Sequence, residues 1–294
     1  MINRILLSLL TLMIFSASLT SQINKFAATD YSGGKVFIME NNKIIWQHPA
    51  PNSNDLWVLK NGNILFTTGN GVLEVTLNND TIFEYTSKSN IFACQRLKNG
   101  NTFIAECNTG KLLEISPKGK VIKEVCILND KNNDAGFAFM RNARRLDNGH
   151  FLIAHYGEQR VSEYDKSGKL VWNIDVPGGP HSVIKLKNGD TYIAVADKDN
   201  NPRIIKVNKK KEIVWQLSND DIPGKPLKFI GGMHLLKDGS LMFANWVGHE
   251  NPESPVHILR VDKNKTIIST IGKYDGINTV SSVYVIGDES SQTH

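Results

Sequence analysis

The chain has 294 residues and a formal net charge of +5, with 34 Lys and Arg against 29 Asp and Glu. Charges of both signs are interspersed, and the densest basic run, Lys209-Lys210-Lys211, falls in a hairpin turn. Such a surface lacks the broad basic face that nucleic acid requires, so no nucleic-acid partner is expected.

Residues 1–21 carry one basic residue, Arg4, ahead of an apolar run at 5–15 and then small polar residues. This is a secretory signal pattern, too short for a membrane span, with cleavage expected after Ser18 or Ser21. The expected product is an exported, periplasmic or secreted chain, 22–294, with net charge +4 (33 basic and 29 acidic residues). Its three cysteines, Cys94, Cys107 and Cys126, match no metal spacing. One Cys94–Cys107 disulfide or three free thiols would both fit.

One hairpin signature recurs five times: LKNGNILFT at 59, LKNGNTFIA at 97, LDNGHFLIA at 146, LKNGDTYIA at 186 and LKDGSLMFA at 236. Asn-Gly or Asp-Gly between alternating apolar runs predicts two strands joined by a type I′ turn. A second hairpin recurs six times out of phase: MENNKIIWQ, TLNNDTIFEY, SPKGKVIKE, YDKSGKLVWN, VNKKKEIVWQ and VDKNKTIIST. Four strands per repeat, a to d, give five whole units and a sixth lacking strand a. VSSVYVIGD near the C-terminus supplies the missing strand, because Ser281 aligns with His181. The expected fold is all-β: one six-bladed β-propeller of four-stranded blades, closed by N-terminal strands b to d and a C-terminal strand a. Closure removes the free sheet edges, and a monomer is expected.

Trp46, Trp172 and Trp215 share one column in strand d, and Asp165 to Trp172 reads D-x-x-G-x-x-x-W. This resembles the docking repeat of the quinoprotein-type, or PQQ-like, propellers. His181 to Gly189, H-x-x-x-x-L-x-N-G, resembles the arylsulfotransferase-like propellers, and Asn245 to His249, N-W-x-G-H, is similar to a segment of exported bacterial propellers of this kind. The resemblance implies blades rather than chemistry. Quinoproteins usually have eight blades and a metal-bearing cofactor pocket; six blades without that motif argue against bound PQQ. The phenol-sulfate contacts of the sulfotransferases do not map residue by residue.

Strand a starts, and strand b ends, on one face of such a ring. Eight positions before each hairpin glycine stand Asn54, Phe92, Arg141, His181 and Gly231, with Ser281 in the same column. Six positions after it stand Thr68, Glu106, His155, Val195 and Asn245. Neighbouring positions add Asp30, Tyr31, Tyr156, Asp197, His234, Trp246 and His249. The long connections 128–139, 219–232 and 247–256 belong to the same face.

Converging polar groups and aromatics predict a binding site for a small molecule, a carbohydrate or a protein, with Trp246 as an aromatic platform. The competing expectation is a lyase- or hydrolase-like enzyme acting on a carbohydrate or ester. There His181 or His155 is the general base and Arg141 neutralises developing negative charge. Arg144 and Arg145 offer the same planar donors, or pair with blade acids. Three histidines with Glu106 would also suit a divalent metal drawn from different blades.

Overall fold

The computed structural model describes residues 25–128, 136, 138–196, 201–224, 226–248, 256–272 and 276–288. The expected signal segment, Asp197 and His249 lie outside the described residues. Among the described residues no helix is long and apolar enough to cross a membrane.

Among the described residues, twenty-four strands form six four-stranded antiparallel sheets arranged as the repeats predict. Blade 1 pairs β24 (Val280–Val285) with β1 (Lys25–Asp30), then β2 (Lys35–Glu40) and β3 (Lys43–Pro49). Blade 2 begins with β4 (Leu56–Val58) and β5 (Ile64–Thr67), followed by β6 (Gly71–Val75) and β7 (Thr81–Thr86). Blade 3 runs β8 (Ile91–Arg96), β9 (Thr102–Glu106), β10 (Lys111–Ile115) and β11 (Val121–Cys126). Blade 4 runs β12 (Asn142–Arg145), β13 (Phe151–His155), β14 (Arg160–Tyr164) and β15 (Leu170–Asp175). Blade 5 runs β16 (Gly179–Lys185), β17 (Thr191–Ala196), β18 (Arg203–Val207) and β19 (Ile213–Ser218). Blade 6 runs β20 (Ile230–Leu235), β21 (Leu241–Asn245), β22 (Ile258–Val261) and β23 (Ile267–Ile271).

The residue pattern explains which strands lie inside. Strands a to c are almost continuously buried, whereas β3 alternates exposed and half-buried positions as an outer strand should. The apolar side chains gather in six clusters, one for each blade-to-blade interface. Between blades 3 and 4, for instance, Phe103 stacks on Phe151 at 5.7 Å. Burying each such ring contributes about 1.5–3 kcal/mol. The strand-d tryptophans act in these interfaces: Trp215 of blade 5 donates to the Lys263 carbonyl of blade 6 at 2.9 Å.

Ring closure rests on β1 against β24, with Phe26 opposite Val285 and Thr29 opposite Ser282. Thr29 and Ser281 share a hydroxyl hydrogen bond of 2.7 Å at that seam.

The turn chemistry departs from the expectation in one respect. In the a–b hairpins only the glycine has positive φ, as at Gly62 (85°) and Gly189 (90°), and Gly62 N–H donates to the Leu59 carbonyl. These are therefore type I turns followed by a left-handed glycine bulge, not type I′ turns. A type I′ geometry occurs instead at Asn41 (50°) and Asn42 (61°), between β2 and β3. Nor is the disulfide formed: all three cysteines are free, Cys94 and Cys107 buried and Cys126 exposed.

Candidate functional site

Four innermost strands carry a ladder irregularity at their entry. In β16 the pairing jumps from Pro180–Val195 to Ser182–Ala194, leaving His181 as the extra residue. Phe92 is skipped in the same way in β8, Ser281 in β24, and Gly231 and Gly232 in β20. A bulge re-aims the side chain it releases from the ladder. This places the column eight residues before the hairpin glycine at the channel entry.

Arg141, just before β12, is the centre of that group. Its guanidinium carbon stands 4.2 Å from the Phe92 ring centroid and 5.8 Å from that of Tyr156, and Nη2 lies 3.5 Å from His181 Nε2. Burial lowers its pKa; Cys107, Tyr31 and Tyr156 oppose the shift, with no carboxylate among them. No ion pair holds Arg141 among the described residues. Loss of hydration is thus offset by ring faces rather than by a counter-charge.

His181 is 6% exposed, and burial, then Arg141, pulls its pKa well below the ordinary value, with Asp55 opposing. The ring is neutral at pH 7. Guanidinium can only donate, so the proton of His181 is assigned to Nδ1, which is buried without a partner. The ring edge meets Phe229 at 4.9 Å, and Phe229 meets Trp246 at 5.4 Å and Tyr156 at 6.4 Å. Gly179 makes room for this arrangement, because a Cβ there would overlap the Tyr156 ring.

The polar residues at the ends of strands b behave differently: they hold the loop entering strand a of their own blade. Asp30 accepts from Gly33 N–H, Asn278 N–H and Thr279 N–H at 2.8–3.0 Å. Glu106 accepts from Ser87 Oγ at 2.6 Å, Thr109 Oγ1 at 2.8 Å and Tyr85 OH at 3.4 Å. His155 is fully buried, its Nδ1 at 2.9 Å from the Phe139 carbonyl and its Nε2 at 3.0 Å from Tyr164 OH. Burial lowers its pKa to about 4. Asn245 accepts from Lys228 N–H at 2.8 Å and donates to the Pro226 and Val256 carbonyls at 2.9 and 2.8 Å. These latches spend their polar atoms on the scaffold.

His234 stands at a different height along the channel from His181. It lies five residues before Gly239, in a column with Trp57, Gln95, Arg144, Ile184 and Tyr284 at the far end of the channel. There it packs edge-on against Tyr284 at 4.9 Å and accepts from Val285 N–H at 3.3 Å. The expected histidine cluster is therefore dispersed. Among the described residues no group of three or more His, Cys, Asp and Glu side chains could hold a metal. Arg144 is taken by Asp55, and Arg145 belongs to the opposite mouth.

The group brought together is thus Arg141, His181, Tyr156 and Trp246, with Tyr31 close enough to act on Arg141. Phe229 joins them without having been singled out. It lies in an irregular loop, and the usable signal is its place two residues before Gly231 in an aligned column.

The fold and this entry cluster define a six-bladed β-propeller with an arginine-centred group of aromatic side chains at one mouth. No protein-family model matches the chain, and no curated protein matches it. Among solved structures it is similar to a protein of unknown function from Bacteroides caccae, at 21% identity and TM-score 0.79, over 89% of this chain and 98% of that one. It is also similar to virginiamycin B lyase from Staphylococcus aureus, at 18% identity and TM-score 0.56, over 86% of each chain. BBS1N in complex with ARL6DN has 11% identity and TM-score 0.56, over 90% of this chain and 80% of that one. These likenesses concern the fold.

Proposed function

We propose that the chain is an exported binding protein whose channel entry takes a small, oxygen-rich ligand with an anionic group, a carboxylate or sulfate on a sugar or aryl ring. The observation that carries this reading is Arg141: a half-buried guanidinium with no carboxylate partner among the described residues, set against Phe92 and Tyr156. An anion would supply the missing counter-charge through bidentate donation. His181 stands beside it with Nε2 3.5 Å from the guanidinium, and the partly exposed rings of Phe229, Tyr156 and Trp246 lie next to the pair.

The lyase among the similar structures keeps an enzymatic reading in view. A general base at His181 would need a free lone pair, and its Nε2 lone pair faces Arg141. His155 has both nitrogens engaged. The geometry favours recognition over proton abstraction.

The test is a screen of 4-nitrophenyl sulfate, 4-nitrophenyl acetate and digalacturonate against wild type and His181→Ala, following binding and product formation together. Saturable binding by wild type without turnover, weakened in His181→Ala, supports the proposal. Turnover lost in His181→Ala would replace it with the enzymatic reading.

A further inference from the structure

The repeated hairpin carries a feature that turn chemistry does not require. Its second position is lysine in four blades: Lys60, Lys98, Lys187 and Lys237. Strand a runs away from the Arg141 face, so all these tips stand at the opposite mouth of the channel. Lys60, Lys98 and Lys187 line a bowl of about 970 Å³ there, and its wall includes Trp57 and Tyr284, with ring centroids 6.0 Å apart. That volume is at the upper end for small-molecule sites.

The charges of this bowl are only partly matched. Lys98 pairs with Asp147 at 2.7 Å in full solvent, where the attraction contributes little. Lys60 and Lys187 have no ion pair among the described residues. Arg145 lies over the Phe151 ring at 4.3 Å with its Nη1 buried and without an acceptor, and Glu114, also in the lining, is close enough to act on its charge. On the floor, Arg144 is 4% exposed and uses both terminal nitrogens on Asp55, while its Nε is buried with no acceptor. An open rim of lysines, two of them without an ion pair among the described residues, above an arginine-bearing floor and an aromatic wall, has the features of a site for several negative groups on one compact ring.

We infer that this bowl is a second ligand site, separate from the Arg141 pocket, for a multiply anionic ring compound: a sugar or cyclitol bearing several sulfate or phosphate esters. The esters meet Lys60, Lys187 and Arg145 while the ring rests against the aromatic wall.

The experiment titrates sucrose octasulfate and inositol hexakisphosphate, with inorganic sulfate as the ringless control, into the folded chain at low and high salt. Wild type should bind at least one polyanion far more tightly than sulfate, and the affinity should fall as salt rises. Which ester binds distinguishes the two sources. Lys60→Gln with Lys187→Gln, both on exposed tips and harmless to folding, should weaken it by about tenfold or more, and adding Arg145→Gln should weaken it further. Arg141→Gln should leave it unchanged, which separates this site from the one at the other mouth. Failure of both polyanions to bind, undiminished binding by the lysine variant, or loss on Arg141→Gln would each overturn the inference.

Discussion

The Arg144 guanidinium and the Asp55 carboxylate meet end to end inside the ring, with Nη1 to Oδ2 at 2.8 Å and Nη2 to Oδ1 at 2.9 Å. The pair joins blade 4 to blade 2, and Asp55 Oδ2 also accepts from Cys94 N–H of the blade between them at 3.0 Å. Three blades are thereby fixed at one point. Removing one partner leaves a buried charge uncompensated, so Arg144→Met should cost about 3–5 kcal/mol in urea unfolding. Asp55→Leu with Arg144→Met should lose much less than the two single losses combined, because the charge is removed with its partner.

Stability should depend on His155 in a defined pH window. Its folded pKa is about 4 against an ordinary 6.5, so the unfolded chain takes up the proton first as pH falls. The contribution is complete above about pH 6.5 and is lost towards pH 4. Between pH 7 and pH 5 this amounts to about 2 kcal/mol, and His181, shifted in the same direction, adds to it. Glu163, whose pKa is lowered with burial opposing and Lys185 and His150 favouring the shift, loses its contribution at still lower pH. Urea midpoints at pH 7 and pH 5 should therefore converge in His155→Gln relative to wild type.

Gly179 tests the aromatic wall without touching a charge. In Gly179→Ala the new methyl displaces Tyr156, at a stability cost of about 1–3 kcal/mol. Any aryl ligand of the Arg141 pocket should bind more weakly, whereas sucrose octasulfate at the opposite mouth should bind as before. Equal affinity of 4-nitrophenyl sulfate for both chains would remove Tyr156 from the site.

The architecture was legible because the blades share their punctuation: a glycine in the a–b turn of five blades, a tryptophan in strand d of three, and a terminal strand that aligns with the others. The candidate site was legible by half. Counting from the glycine correctly sets the height of a residue along the channel, but Asp30, Glu106, His155 and Asn245 stand at that height with their polar atoms turned to incoming loops. A column of polar residues looks the same whether its hydrogen bonds go to a ligand or to backbone. His181 and Arg141 differ from them through the bulge and the irregular entry before β12, and a bulge leaves no mark in the residue pattern. The lysine tips of the a–b hairpins drew no reading from the sequence, since nothing local tells that a hairpin rims a bowl.

The central claim is that Arg141 recognises an anion at the channel entry. Isothermal titration of 4-nitrophenyl sulfate and digalacturonate into wild type and Arg141→Gln tests it most directly. The account predicts saturable binding of at least one of them by wild type, weakened by about tenfold or more in Arg141→Gln, with the unfolding transition preserved. Binding of equal strength in the two chains, or none of either probe by wild type, would contradict it.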